Sequence, residues 1–371
     1  MQQNDAQYMQ QALELAQRGA FSVAPNPLVG CVVVRAGEVV GQGWHERPGE
    51  PHAEVYALRE AGELARGATA YVTLEPCSHH GRTPPCADAL IAAGLARVVI
   101  AMQDPNPLVA GQGIQRLREA GIEVTSGVLE AAARQLNCGF VSRMERQRPW
   151  LRLKMAMSLD GRTALANGQS QWITGPEARL DVHAYRAQAG AILTSARTVM
   201  MDQARMTARH PKAERQPLRV VLDRQQQLPA EHEFFAIPDP VLRVVDGESD
   251  EQVWPAHVST LVLPANTGRL PLRALFSQLA ELEINDVWTE CGAELAGALV
   301  AAELVDEWII YVAPKLLGDT SRGVLQLPQL QDLAQAPQLR YHSFTQVGDD
   351  LKICARPLHG SAGADRGEVQ S

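Results

Sequence analysis

His52-Ala53-Glu54-Val55-Tyr56-Ala57-Leu58-Arg59-Glu60-Ala61-Gly62 reads as a helix that opens on a histidine and stops at a glycine. Pro76-Cys77-Ser78-His79-His80-Gly81-Arg82-Thr83-Pro84-Pro85-Cys86 follows the next apolar run, Ala68 to Pro76, which reads as a short buried strand. One imidazole and two thiols bracketing a strand and a helix start are a ligand set that suits zinc. A catalytic zinc keeps three protein ligands and leaves one position for water, whose pKa then falls toward about 7. His52, Cys77 and Cys86 fill the three positions. Glu54 is one helical turn or less from the metal and is placed to move protons.

H-x-E followed by P-C and a second cysteine is the order found in zinc-dependent base deaminases, where the glutamate is an acid/base and not a ligand. The chain departs from that pattern in one respect. Cys77 and Cys86 are nine residues apart, where the general pattern has about three, so Ser78 to Pro85 form an inserted loop. A structural zinc site would need a fourth ligand, which His79 or His80 could supply. The remaining cysteines, Cys31, Cys138, Cys291 and Cys354, stand singly and read as packing residues.

Working outward, strands alternate with helices through residue 145. Asp5 is the expected N-cap of a helix ending at Gly19. Cys31 to Trp44 is a hairpin about Ala36-Gly37, and helix–strand pairs follow at 87–102 and 114–128. Glu145 to Trp150 is a polar stretch with a proline and reads as a linker. A second alternating series begins at Leu151, so the chain divides into an α/β domain over 1–146, a second over 150–358 and a small polar tail, 359–371, expected to be disordered. The 371 residues suit two domains, and 46% apolar with 20% charged residues is ordinary globular composition. A net charge of −8 gives no basic footprint for nucleic acid, and a nucleic-acid base deaminase would want one. No apolar run is long enough to span a membrane, and the N-terminus lacks the pattern of a secretory signal. The expected location is the cytoplasm, where thiols stay reduced.

With these residues on the page, the chain closely resembles the bifunctional riboflavin-biosynthesis deaminase/reductase family. The resemblance rests on Pro25-Asn26-Pro27-Leu28-Val29-Gly30, Gly43-Trp44-His45, the two stretches above and Asp104-Pro105-Asn106-Pro107. It continues through Leu153-Lys154-Met155-Ala156, Ser158-Leu159-Asp160-Gly161-Arg162, Gln171-Trp172-Ile173-Thr174 and Ala313-Pro314-Lys315-Leu316-Leu317-Gly318. It covers about residues 5–325, and the long cysteine spacing is itself a family feature. The resemblance implies a cytidine-deaminase-like domain followed by a dihydrofolate-reductase-like domain. The first would remove ammonia from a phosphorylated ribosylaminopyrimidine, and the second would reduce its ribosyl group to ribityl with NADPH. Homo-oligomers are expected.

By the same resemblance Asn26 and His45 would touch the pyrimidine or ribose, and Arg82 with Thr83 the 5′-phosphate. Lys154 would act at the ribose. Ala156, Trp172, Thr198, Asp202 and the run Gly292, Ala293, Glu294, Leu295, Ala296, Gly297, Ala298 would line the NADPH site. Ser170, Arg186, Met206, Arg209 and Glu290 would contact the reductase substrate. The run from Gly292 enters a helix N-terminus, which offers free N–H groups to a pyrophosphate, although no G-x-G-x-x-G fingerprint is present. Asp202-Gln203-Ala204-Arg205-Met206-Thr207-Ala208-Arg209 departs from the family's D-[DN]-P-x-L-T-x-R, and loss of the proline predicts a less constrained backbone. A deaminase whose reductase-like half is not catalytic is the alternative reading.

Overall fold

The computed structural model describes residues 4–78, 85–107, 109–247, 252–265 and 268–358. His79, His80, Arg82, Thr83 and the 359–371 tail therefore lie outside the described residues.

The first half holds α1 (Asp5–Ala16), β1 (Gly30–Arg35), β2 (Glu38–Trp44), α2 (Ala53–Ala61), β3 (Thr69–Val72), α3 (Cys86–Ala92), β4 (Arg97–Ile100), α4 (Gln112–Glu119), β5 (Glu123–Ser126), α5 (Glu130–Leu136) and α6 (Cys138–Arg146). The sheet order is β2-β1-β3-β4-β5. The first three strands pair antiparallel, and β3, β4 and β5 run parallel. Alternation along β1 sorts its side chains. Cys31 and Val33 pack on α2, α3 and α4, whereas Val32 and Val34 pack on α1, α5 and α6. Both faces are covered, so β1 reads as a continuous apolar run and not as an amphipathic strand. Gly43 permits the close approach of α2, since a Cβ there would meet Ala53 O at 2.5 Å.

Asp5 is not the cap of α1. Asn4 occupies that position, and Asp5 is buried, accepting from Tyr71 Oη at 3.0 Å and from the Arg97 guanidinium at 2.9 and 3.0 Å. A partnered internal carboxylate thus replaces the expected exposed cap.

The second half holds β6 (Trp150–Ser158), β7 (Arg162–Ala164), α7 (Pro176–Gln188), β8 (Ala191–Ser195), α8 (Ala196–Asp202), β9 (Leu218–Leu222), α9 (Glu233–Ala236), β10 (Val241–Val245), β11 (Val258–Val262), α10 (Leu272–Glu281), β12 (Asp286–Glu290), α11 (Ala293–Ala301), β13 (Glu307–Ala313), β14 (Arg322–Gly323), β15 (Leu339–Val347) and β16 (Asp350–Pro357). The large sheet runs β11-β10-β9-β8-β12-β6-β13-β16-β15. Its strands are parallel from β11 to β13, and the β15–β16 hairpin closes the edge antiparallel. Helices α10 and α11 cover one face and α7, α8 and α9 the other. The parallel strands aim their carboxyl ends at one rim, where ligands of such sheets bind. Among the described residues no helix is long and apolar enough to cross a membrane.

The polar stretch 145–150 is not a loose tether. Arg146 and Arg148 donate to the buried Asp306 at 2.8 Å, and Asp306 also accepts from Leu151 N at 2.8 Å. Asn285 ties the halves again, donating to Pro25 O at 2.6 Å while accepting from Arg143 Nε at 2.6 Å.

Candidate active sites

His52 is the N-cap of α2, Cys77 follows β3, and Cys86 opens α3. His52 Nδ1 lies 3.1 Å from Cys86 Sγ and 3.6 Å from Cys77 Sγ, and the three ligand atoms all fall within 4.8 Å of one another. A tetrahedral zinc with bonds of about 2.0–2.3 Å sets its ligand atoms about 3.3–3.8 Å apart. The donors and their spacing therefore fit zinc. As a thiol pair the two cysteines share one proton. Cys77 is lowered to about 4, first by the hydrogen bond from Cys86, and Cys86 is correspondingly raised. The Cys86 backbone N–H also donates to Cys77 Sγ at 3.3 Å.

Glu54 lies in the first turn of α2 and is buried, and burial raises its carboxyl pKa. Its Oε2 has no hydrogen-bond partner among the described residues. A buried oxygen left unpaired is costly, and this carboxylate lies against the Cys86 thiol, next to the three ligand atoms. Beside His52, with ring centroids 5.2 Å apart, His45 is buried, and burial lowers its pKa. His45 Nδ1 donates to Pro51 O at 3.2 Å, which leaves Nε2 to accept from Asn26 Nδ2 at 2.9 Å. That orientation frees Asn26 Oδ1 as an acceptor. Asn26 and His45, both expected at the substrate, are thus hydrogen-bonded to each other.

Sequence reasoning missed what holds the turn before Cys77. Glu75 is buried, and its carboxylate accepts from the backbone N–H groups of Asp104, Gly111, Gly113 and Ile114 at 2.9–3.2 Å. This fixes the loop after β4 and the start of α4 against Pro76. A Cβ on Gly113 would meet Pro76 O at 2.0 Å. An acid inside the apolar run ahead of Pro76 was the available signal. Asn137, which clamps Leu28 by donating to its O and accepting from its N at 2.9 and 2.8 Å, carried no such signal.

In the second half, a cleft of about 2600 Å³ opens at the carboxyl ends of β6, β8 and β12. Lys154, Ala156, Ser170, Trp172, Arg186, Thr198, Asp202, Met206, Arg209 and Glu290 line it, as do Gly292, Ala293, Glu294, Leu295, Gly297 and Ala298. Ala296 does not. It is fully buried among the core residues under α11.

Glu290 accepts from Arg186 at 2.6 and 2.9 Å and from Trp288 Nε1 at 2.8 Å, with Lys154 Nζ 3.8 Å away. Burial alone would raise this carboxyl, yet Arg186 and Lys154 hold it at about 2. Burial lowers the Lys154 ammonium, and Glu290 opposes that. Arg186 is thus engaged by Glu290 and, through Nη1, by Thr207 O at 3.1 Å. His183, which the sequence reading did not single out, also lines the cleft and accepts from Arg209 N at 3.2 Å. Ser170 donates to Asp202 at 3.2 Å. The backbone at Trp172 and Ile173 accepts from Lys315 Nζ at 3.0 and 2.7 Å, and Asp160 accepts from the Leu317 and Gly318 amides. Three separated motifs, around Asp160, Trp172 and Lys315, therefore meet at one rim.

Residues 202–209, whose backbone was expected to be less constrained without the proline, are tied down at two kinds of position. Met206 and Gln203 take the left-handed backbone conformation, φ +52° and +47°. Gln216 straps the segment by donating to Ala208 O at 2.9 Å and accepting from Ala208 N at 2.8 Å. Gln216 thus restrains the segment at Ala208, four residues beyond the position of the missing proline.

Residues 2–102 match the cytidine and deoxycytidylate deaminase zinc-binding region, and residues 149–353 match the RibD C-terminal domain. The riboflavin biosynthesis protein RibD of Escherichia coli is 53% identical over 359 residues, covering 94% of this chain and 98% of that protein. The solved RibD of Acinetobacter baumannii is 43% identical with a TM-score of 0.89, covering 96% of this chain and 99% of that one. A deaminase/reductase structure from Thermotoga maritima is 35% identical with a TM-score of 0.86, covering 95% and 98%. The chain has a cytidine-deaminase-like zinc domain and a dihydrofolate-reductase-like domain, and it belongs to the RibD family of bifunctional deaminase/reductases of riboflavin biosynthesis.

Proposed function

We propose that the chain deaminates 2,5-diamino-6-hydroxy-4-(5-phosphoribosylamino)pyrimidine over 1–146. It then reduces the resulting 5-amino-6-(5-phosphoribosylamino)uracil to the ribitylamino product over 150–358. The observation that carries the first step is the unpartnered Glu54 Oε2 beside three zinc-compatible ligand atoms. His52, Cys77 and Cys86 would hold a zinc ion, which would supply the acidification of a bound water. Glu54 Oε2 would carry two protons in turn, the first from the water to the ring nitrogen as hydroxide adds to the amino-bearing carbon, the second from the resulting hydroxyl to the amino group as the C–N bond breaks and ammonia leaves. Asn26 Oδ1, oriented through His45, accepts from the pyrimidine amino or sugar hydroxyl groups. Arg82 and Thr83 are assigned the substrate phosphate, because a guanidinium with a neighbouring hydroxyl suits it.

For the second step, the cleft exceeds the roughly 300–1000 Å³ of a single small-ligand site and accommodates a dinucleotide with a sugar phosphate. Gly292 opens α11, and a Cβ there would meet nothing within 4 Å, which leaves room for a pyrophosphate at the helix N-terminus. NADPH held in this cleft would supply the hydride. Lys154 Nζ hydrogen-bonds the ribose and donates the proton that the sugar oxygen takes up. With Arg186 engaged by Glu290, Arg209 is the cation assigned to the phosphate. This intact constellation favours a catalytic second half over a binding-only one.

Self-association is assigned to the β15–β16 hairpin. Edge strand β15 is exposed along nearly its whole length and carries Tyr341 and Phe344, 62% and 59% exposed. An uncovered apolar edge of that kind is a pairing surface. The six free cysteines support a reducing compartment, and we place the enzyme in the cytoplasm.

The test follows ammonia release and NADPH oxidation separately. Chelation of zinc stops the first and spares the second when the deaminated compound is supplied. Glu54→Gln keeps its zinc but loses ammonia release by about 10²-fold or more. Persistent ammonia release from that variant removes the acid/base role, and absence of NADPH oxidation removes the second step.

A further inference from the structure

The segment joining α8 to β9, residues 203–217, touches both halves of the molecule. Its first part faces the reductase cleft, where Met206 and Arg209 line the wall. Arg209 Nη1 donates to Thr207 Oγ1 at 3.2 Å. Its second part leaves the cleft and lies on the deaminase half. The His210 ring stacks on Phe21 with centroids 5.2 Å apart and planes 2° from parallel. Lys212 Nζ sits 6.0 Å from the centre of the same Phe21 ring. Glu214 Oε2 accepts from Arg47 Nε and Nη2 at 3.0 and 2.7 Å. Phe21 and Arg47 flank the deaminase residues Asn26 and His45, and Ser22 Oγ ties the two flanks by donating to Glu46 O at 2.6 Å.

We propose that the deaminase half positions the substrate-binding segment of the reductase half, with Arg47 and Phe21 acting through Glu214 and His210 on Thr207 and Arg209. The inference rests on the assignment of Arg209 to the reductase substrate. A segment of this length with no helix or strand of its own carries conformational entropy that substrate binding must otherwise remove. Docking it beforehand lowers that cost, so losing the dock weakens substrate binding and leaves chemistry alone. The Arg47–Glu214 pair is 57% and 46% exposed, which bounds the expected effect at about two- to five-fold.

The experiment measures reductase kinetics on full-length, zinc-loaded protein supplied with NADPH and 5-amino-6-(5-phosphoribosylamino)uracil. Arg47→Glu and Glu214→Arg each raise KM for the uracil compound about three-fold. Both leave kcat and the KM for NADPH unchanged. The double charge swap brings KM back toward that of the unaltered protein. General loss of stability would lower active enzyme in all three variants and would not be rescued by the swap. Arg209→Ala serves as the reference. If it raises KM while the Arg47 and Glu214 variants do not, or if the swap gives no recovery, the positioning role is overturned and the substrate assignment stands. If Arg209→Ala leaves KM unchanged, the substrate assignment itself falls and the inference with it.

Discussion

Single side chains in this molecule are set by what surrounds them. His183 shows how. Burial, reinforced by the charges of Arg186 and Arg209, lowers its pKa from 6.5 to about 4. The folded protein therefore binds fewer protons than the unfolded chain between those values, and acidification through that window favours unfolding. His183 contributes fully above about pH 6.5, and its contribution is lost as pH falls toward 4. Urea midpoints measured from pH 7 to pH 4 will fall less steeply for His183→Gln than for the unaltered protein. Parallel curves would show that His183 titrates normally. Glu54 is also governed by burial, which raises its carboxyl pKa and leaves Oε2 without a hydrogen-bond partner among the described residues.

At the scale of elements, helix starts do most of the positioning. α2 presents His52 and Glu54, α3 presents Cys86, and α11 presents Gly292 to the reductase cleft. Gly292 has φ −76° and ψ 172°, a conformation any residue can adopt, and open space where a Cβ would go. Gly292→Val is therefore expected to fold normally and to weaken NADPH binding about ten-fold or more by filling the space at the α11 N-terminus. Fluorescence titration with NADPH reads this without turnover. Unchanged affinity would move the pyrophosphate elsewhere in the cleft. Glu75 does comparable work for the zinc ligands, gathering four backbone amides from two later segments so that Pro76 and Cys77 have one place to go.

For the molecule as a whole, the two sheets are joined by polar groups that neither half satisfies alone. Asp306 is 2% exposed and belongs to the second half, yet its carboxylate takes Arg146 and Arg148 from the end of the first. Removing one member of such a buried network leaves the others uncompensated. Asp306→Ala is expected to cost about 3–5 kcal/mol of stability. In calorimetry that variant should unfold at lower temperature, and an unchanged profile would show the junction to be energetically neutral.

Much of this was legible in the residues themselves. The alternation of apolar strands and helices marked two α/β units. His52, Glu54, Cys77 and Cys86 declared a metal site, because zinc chemistry restricts residue type and order. Local patterns of that sort need no knowledge of distant neighbours. Other features depended on partners far along the chain. Asp5 read as a cap until Tyr71 and Arg97 were found around it, and residues 145–150 read as a tether until Asp306 claimed their arginines. Ala296 fell within a run that suited a cofactor, but the rotation of α11 turns it into the core. The reductase site was invisible to motif chemistry because its polar groups arrive singly from β6, α7, β12 and the segment before β9. Only the parallel sheet, by aligning the strand ends, brings Lys154, Arg186, Glu290 and Arg209 to one cleft.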